Sequence, residues 1–578
     1  MALFTPSQSP AVVVKEVDLT GGVPNVQTST GAIVGNFRWG PIGERKLVTN
    51  EAGLVEIFAS PDSDNAVDFV SAAQFLRYSN SLQVVRGATS AAKNSYAMKG
   101  GGSTAAAKKL DNKLEFDAAS FDSDELFVGR FPGALGNSLR VSVCPASTSD
   151  SAFDNWTYKS SFDGAPGTSS YDSDRDGVNS EVHIAVVDNN GEFSGTKGTV
   201  LETYPYVSVF TNSKNREGGT NYAKNVINER SQYVYMVAFD SDLTAGGAGV
   251  ALTPGTQKSI SLSTNATNHD LGSGVNSGSL GTTEIANSSI LFQDKDQVEI
   301  DFMIANGMAD SAAQATVVND LVAKAIGRKD CVVVASPHRN AVVNQTLPST
   351  ITTNITSVMG NFTKSSYLVV DGNYLKVYDK YNDQYIQVPA ASSTAGIMAE
   401  TDRVAAPWFS PAGTRRGQYL GVTSIDYNPT KAQRDTLYKA GVNPVVNING
   451  SGIVLFGDKT ALQRPSAFDR INVRRLFLTL ERAIAKAAEN VMFEFNDEFT
   501  RAEFVNIIEP VLRDVRGRRG ITDFRIVADE SVNTPAVIDR NEFVANIFIK
   551  PARSVNYVTL NFTAVRTGVD FEEVVGTV

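Results

Sequence analysis

The chain has 578 residues, 42% of them hydrophobic and 20% charged, a composition that excludes wholesale disorder and a collagen-like fibre. At roughly 100 to 200 residues per domain, that length predicts about three to five domains. Lysine plus arginine number 52 against 62 aspartate plus glutamate, a formal charge of −10, which argues against a chain whose main task is to coat nucleic acid or an anionic membrane.

No run approaches the roughly 18 consecutive apolar residues of a membrane helix, so no bilayer insertion is expected. The segment Met1 to Pro10 has neither the basic nor the apolar region of a secretory signal, and secretion is not expected either. Two cysteines, Cys144 and Cys331, exclude a disulfide framework and a cysteine-rich zinc site, and they fit a reducing compartment. Three histidines, His183, His269 and His338, leave few candidates for a histidine base or ligand set.

In chain order, both ends of the polypeptide are strand-like: Ala11 to Val17 at the start, Val569 to Val575 at the close. An alternating segment ends at Leu82-Gln83-Val84-Val85-Arg86, and a small-residue stretch from Ala88 to Lys108 predicts a boundary near residue 100. Short strand-like runs follow, among them Val182 to Val187 and Tyr233 to Val237. The Gly, Ser, Thr and Asn-rich stretch from 241 to 289 reads as long surface loops. This part is predicted mostly β.

From Gln297 the pattern predicts a βαβ unit. Its parts are a strand over Val298 to Ile304, a helix over Asp310 to Ile326 capped by Asp310, and an apolar strand over Cys331 to Val334. The helix stripe is read as Ala312, Ala315, Val318, Leu321, Val322 and Ala325. Beyond Gly452, Arg474 to Asn490 predicts an amphipathic helix with Leu476, Leu480, Ala483, Ile484 and Ala487 on the apolar face and its arginines on the wet one. Thr500-Arg501-Ala502-Glu503 predicts a capping box opening a second helix that stops by Gly517. Strands are then expected over Ile521 to Ala528, Glu542 to Ile549 and Ser554 to Val565.

Chemistry-bearing motifs are few. Asp172-Ser173-Asp174-Arg175-Asp176-Gly177 matches the first half of a calcium loop, but position 12 is His183 instead of glutamate and no helix signal flanks it. An acidic turn is the reading preferred there, with Asp172, Asp174 and Asp176 as the alternative metal set. Gly452 to Thr460 fails as a phosphate loop because Asp458 precedes Lys459 where glycine is needed, and Ile453 to Phe456 read as a strand. One glycine, Gly307, follows the first strand of the βαβ unit, too few for a dinucleotide fingerprint. Neither Gly272-Ser273-Gly274 nor Gly450-Ser451-Gly452 has a nucleophile-elbow spacing. His338, at the carboxyl edge of a strand, is read as a loop histidine that hydrogen-bonds, with an enzyme site on the βαβ scaffold as the alternative. No cofactor is expected.

Residues 451 to 578 hold 17 basic against 18 acidic side chains, and 14 of the 17 are arginine. They cluster at Asp469 to Arg475 and at Arg513 to Arg519. Arginine's planar fork suits carboxylates at protein interfaces; the alternative is a solvated face with local ion pairs.

Two blocks of sequence resemble the tail sheath proteins of T-even-type contractile-tailed bacteriophages. The first is Ser29-Thr30-Gly31-Ala32-Ile33-Val34-Gly35-Asn36-Phe37-Arg38-Trp39-Gly40-Pro41 with Val48-Thr49-Asn50-Glu51. The second spans most of 325 to 578 and includes Asp371-Gly372-Asn373-Tyr374, Tyr378-Asp379-Lys380-Tyr381-Asn382-Asp383, Ser410-Pro411-Ala412-Gly413, Arg470 to Phe477 and Thr534 to Phe543. Residues 90 to 295 match weakly, and the chain looks shorter there than the largest relatives.

The resemblance implies an α/β and α+β multidomain protein without catalysis. Its inner α+β domain would comprise residues 451–578 joined by an arm at 1–20, the middle α/β domain 21–100 and 296–450, and the outer, mostly β insertion 101–295. It implies six subunits per ring, rings stacked as a helical sheath around a tail tube, contact with baseplate and tail terminator proteins, and one contraction that drives the tube through a host envelope. Assembly in the host cytoplasm, no nucleic-acid partner and no membrane insertion are further expectations. Strand exchange between subunits would use Val12, Val13, Val14 and Val17 at one end and Val569, Phe571, Val574 and Val575 at the other, since an unpartnered strand exposes a row of free amides and carbonyls. Arg513, Arg516, Arg518 and Arg519 are the tube-facing candidates. The sheath of a bacterial contractile injection device is the alternative within structural proteins.

Overall fold

The structure, a computed structural model, describes residues 29–99, 108–147, 150–240, 248–260, 265–489, 491–554 and 556. The eight strand-exchange candidates, Val12 to Val17 and Val569 to Val575, lie outside the described residues, as does nearly all of the strand expected over Ser554 to Val565. Among the described residues, no helix is long and apolar enough to cross a membrane. The chain forms two compact units: one from Val26–Pro407 with Pro411–Arg474, the other including Trp408–Ser410 and the described residues from Arg475 onward.

The larger unit is built on a seven-stranded sheet in the order Val442–Asn443, Leu368–Asp371, Val332–Ala335, Phe302–Ile304, Gly31–Asn36, Leu82–Gly87, Arg45–Val48. All pairings are parallel except the last, between Leu82–Gly87 and Arg45–Val48. Its central strands are fully buried and carry apolar runs, Val332–Ala335 throughout and Leu368–Val370 before the buried Asp371; such runs mark parallel strands covered on both faces.

The predicted βαβ unit is present, with shifted edges. Ser311–Arg328 is its helix, and the Asp310 carboxylate accepts from the Ala313 amide at 2.9 Å. The first strand begins only at Phe302, because the Val298 carbonyl is taken by the Arg328 guanidinium at 2.8 Å and Asp301 turns its carboxylate to the Thr30 amide. The buried face differs from the expected stripe: Gln314 and Val317 are inside and Ala312 is exposed. Gln314 tolerates burial because its amide donates to the Ser336 carbonyl at 3.0 Å and accepts from the Met308 amide at 2.6 Å.

The intervening region, expected to be mostly β, combines antiparallel sheets with short helices such as Lys113–Ala118 and Ala223–Arg230. Leu139–Pro145, Glu181–Asp188, Thr199–Ser208 and Thr267–Asp270 form a four-stranded antiparallel sheet, and Val234–Met236 joins Glu125–Gly129 and Tyr96–Met98. The stretch expected to be loops from 241 to 289 nevertheless ends in a helix, Thr282–Ser289. Glu284 accepts from the Gly281 amide at its start and Ile285 is buried, so one apolar side chain and one cap outweigh a polar composition.

In the second unit, helix Ile471–Glu489 enters at Arg475 and is followed by Glu498–Gly517. The latter packs on Ile521–Val527, which pairs antiparallel with Asn546–Pro551. Leu476, Leu480, Ala483 and Ala487 are buried as predicted, joined by Phe504, Ile508, Leu512 and Val515. Four expectations fail here. The first helix begins at Ile471, three residues early, and Arg474 and Arg475 are buried instead of wet. The cap of the second is Asp497, whose carboxylate accepts from the Thr500 amide at 2.8 Å, so Thr500 lies within the first turn. The last described strand begins at Asn546 because Asn541 is left-handed (φ 56°) and Val544 donates to the Asn533 side chain, spending 541–545 on a turn.

Candidate contact surface

The two arginine clusters have opposite fates. In the first, Arg470 donates to Asp458 at 2.8 Å and to the Tyr438 hydroxyl. Arg474 donates to Ser366 Oγ at 2.7 Å and lies over the rings of Tyr367 and Phe468 at 4.4 and 4.1 Å. Asp458 is itself buried. The residue that spoils a phosphate loop thus serves as an internal counterion, and Gly452–Leu455 is a strand paired with Val445–Ile448. A buried carboxylate such as Asp458 needs such a partner, since an uncompensated charge there is costly.

The second cluster stays outside. Arg513, Arg516, Arg518 and Arg519 are all exposed at the carboxyl end of the 498–517 helix, where the helix dipole favours cations. Arg513 pairs with Glu509 at 2.7 Å and Arg518 approaches Asp514 at 3.7 Å, with arginine side chains 66% and 53% exposed. Such pairs are worth no more than about 1 kcal/mol each and break readily. Arg516 lies over Phe524 and Arg518 over Trp408, whose indole N–H donates to the Arg518 carbonyl at 3.1 Å. Arg519 is left-handed at φ 67° and turns the chain toward the next strand. The end is therefore shaped by aromatic stacking, with its guanidinium groups exposed.

Of the metal candidates, Asp174 is exposed and the other two have structural partners. Asp172 is buried and accepts from Ser208 Oγ at 2.9 Å, whereas Asp176, at φ 61°, accepts from the Gly255 amide. Among the described residues, no group of three His, Cys, Asp or Glu could hold a metal ion. His338 precedes a short helix, with Nδ1 3.2 Å from the Ala309 carbonyl, the hydrogen-bonding loop histidine expected. His183 sits inside the β region between the Gly164 carbonyl and the Tyr206 amide, and burial lowers its pKa. Both cysteines are buried and free, and burial pushes the Cys144 thiol up to about 12.

Two features escaped sequence reasoning. Met492, Phe493 and Phe495 stand exposed between the long helices and Phe499 in the first turn of the second; the available signal was aromatic residues off the helical period among carboxylates. Asp371, at the end of an apolar strand, is fully buried, and burial pushes its carboxyl up to about 7. A carboxylate closing an apolar strand was its signal.

Comparison with known proteins places these features in context. The family described as phage tail sheath protein central domain matches residues 289–461, and that described as phage tail sheath C-terminal domain matches 463–564. The chain is 32% identical over 681 aligned positions to the tail sheath protein of Vibrio phage KVP40, covering 98% of this chain and 99% of the relative. It is 31% identical over 659 positions to the tail sheath protein of Enterobacteria phage T4, again with 98% and 99% coverage. Both alignments are longer than this chain, so the relatives carry residues that it lacks. Among solved structures, the sheath tail protein of Listeria innocua superposes with a TM-score of 0.56 at 11% identity over 92% of this chain and 93% of that one, a likeness of fold.

Proposed function

This chain belongs to the phage tail sheath protein family and is a contractile sheath subunit, a structural component of the virion tail and not an enzyme; from that premise we propose how it works. Six copies form each ring, and rings stack around a tail tube between baseplate and terminator after assembly in the host cytoplasm. Residues 451–578 with the 1–20 arm lie innermost, 21–100 and 296–450 form the middle, and 101–295 the outer domain. The two ends, through Val12, Val13, Val14, Val17, Val569, Phe571, Val574 and Val575, add strands to neighbouring copies, so backbone hydrogen bonds persist while domains rotate as rigid bodies. Among the described residues, Ile521–Val527 and Asn546–Pro551 form a sheet of only two strands, and such a ribbon gains from added ones.

The observation that carries this reading is the exposed arginine end at Arg513, Arg516, Arg518 and Arg519. Cations held in weak surface pairs fit a surface that grips an acidic tube and lets go. Arg513→Glu, Arg516→Glu, Arg518→Glu and Arg519→Glu together are expected to abolish extended tails under the electron microscope while leaving the subunit folded. Normal extended tails from that variant would refute the assignment.

A further inference from the structure

The loop between the two long helices of the C-terminal unit is as exposed as the arginine end and opposite to it in charge. Met492 is 57% exposed, Phe493 103%, Phe495 83% and Phe499 77%. From Glu489 to Glu498 the chain holds four carboxylates, Glu489, Glu494, Asp497 and Glu498, and no cation. The loop is held in shape. Asn496 donates to the Glu542 carbonyl at 2.8 Å and accepts from Arg501 at 3.0 Å, while Asp497 caps the next helix. Phe493 stands at φ 73°, a left-handed backbone that is unfavourable for a bulky L residue. Three phenylalanines exposed to water within seven residues mark an interaction surface.

The complementary surface lies at the other end of the same helix. Glu498–Gly517 spans 20 residues, about 30 Å at 1.5 Å per residue, so the acidic loop and the arginine end of one copy cannot meet. Between copies they can. The arginine end already stacks its guanidinium groups on Phe524 and Trp408, and arginine joins both carboxylates and aromatic faces. A contact between different surfaces of identical copies is heterologous and propagates, as a polymer requires.

We propose that, in assemblies without a tube, the acidic aromatic segment 491–499 of one copy, the loop and the first turn after it, docks on the arginine end of the 498–517 helix of a second copy. This rests on the reading of that end as the tube-gripping surface: arginines released from the tube take the neighbour's loop as their new partner, which favours the tube-free arrangement.

The test uses the purified full-length chain without tube, with assembly followed by sedimentation and electron microscopy. Reversing the loop (Glu494→Arg with Glu498→Arg) or the helix end (Arg516→Glu with Arg519→Glu) should each raise the concentration needed for assembly at least tenfold, with the melting temperature unchanged. An equal mixture of the two variants should assemble again, because the basic loop of one fits the acidic end of the other and the reverse pairing remains attractive. Phe495→Ser, which leaves every charge in place, should weaken assembly and serves as a second probe should either charge variant misfold. Folded variants that assemble like the wild type, or a mixture that fails to recover, would overturn the proposal. Arginine reversal that abolishes extended tails while loop reversal leaves tube-free assembly intact would leave the tube reading standing and remove this one.

Discussion

Asp371 offers the sharpest test of the energetics of the larger unit. It closes the strand Leu368–Asp371 and has no exposed surface. Ser336 Oγ donates to its Oδ1 at 2.8 Å and Thr394 Oγ1 to its Oδ2 at 3.1 Å. The Ala391 amide donates to Ser336 Oγ, and Thr394 Oγ1 also meets the Tyr419 hydroxyl at 2.9 Å, so the carboxyl ties the start of the 391–404 helix to two strand ends. Burial outweighs these hydrogen bonds and raises the carboxyl from 3.8 to about 7. The unfolded chain therefore releases this proton first, and as pH rises from about 4 to 7 the folded state binds more protons than the unfolded one and loses stability. Roughly three units at 1.36 kcal/mol each set the size of that loss at about 4 kcal/mol. Asp371→Asn removes the ionisation and keeps the shape: its oxygen still accepts from Ser336, and its amide faces a threonine hydroxyl free to donate to Tyr419 instead. Urea unfolding of both proteins between about pH 4 and pH 8 measures the difference, in which all other titrating groups cancel. The variant should gain on the wild type by up to about 4 kcal/mol across that range, starting at most about 1 kcal/mol behind through imperfect hydrogen bonding. Parallel stability curves would refute the reasoning.

Two further expectations concern stability. Arg86 is buried and donates to the carbonyls of Phe37, Gly40 and Pro132 at 2.9, 2.7 and 2.6 Å, and burial lowers its pKa to about 9. Arg86→Met orphans these acceptors at about 1 to 3 kcal/mol each, so thermal unfolding should show a loss above about 3 kcal/mol, which Arg86→Lys recovers only in part because one ammonium cannot span three carbonyls. Asp310→Ala should cost about 1 kcal/mol in urea unfolding through loss of the cap on the 311–328 helix, and Asp310→Asn close to nothing.

What could be read from the chain alone followed from local rules. The 311–328 helix and its Asp310 cap, the parallel strands on either side of it and the stop of the second long helix at Gly517 each depend on side chains within a turn of the feature. Errors arose where a distant partner decided. Val298 to Asp301 has strand composition, yet its hydrogen-bonding groups go to Arg328 and Thr30. Gln314 is polar and inside because Ser336 and Met308 meet its amide. One error was local: Thr500 resembles a cap, but Asp497, three residues earlier, accepts from the Thr500 amide and leaves Thr500 in the opening turn. The two arginine clusters look alike in sequence, and only the positions of Asp458, Ser366 and Tyr367 draw one of them inside.

That division bears on which contacts can change during contraction. Arg470 is half-buried and its partner Asp458 is buried at 2.8 Å, so losing the arginine strands a carboxylate away from water, and the pair is suited to hold its unit rigid. The pairs of Arg513 and Arg518, more than half exposed, cost no more than about 1 kcal/mol each to exchange. A single copy could swap such partners by thermal fluctuation. In a lattice of identical copies joined to one another the same small term recurs at every subunit, and the joint makes the exchange collective. On the proposed reading of Arg513, Arg516, Arg518 and Arg519 as the tube grip, weak exposed arginines multiplied over the polymer therefore suit an arrangement that must release better than an arginine tied to a buried carboxylate, as Arg470 is.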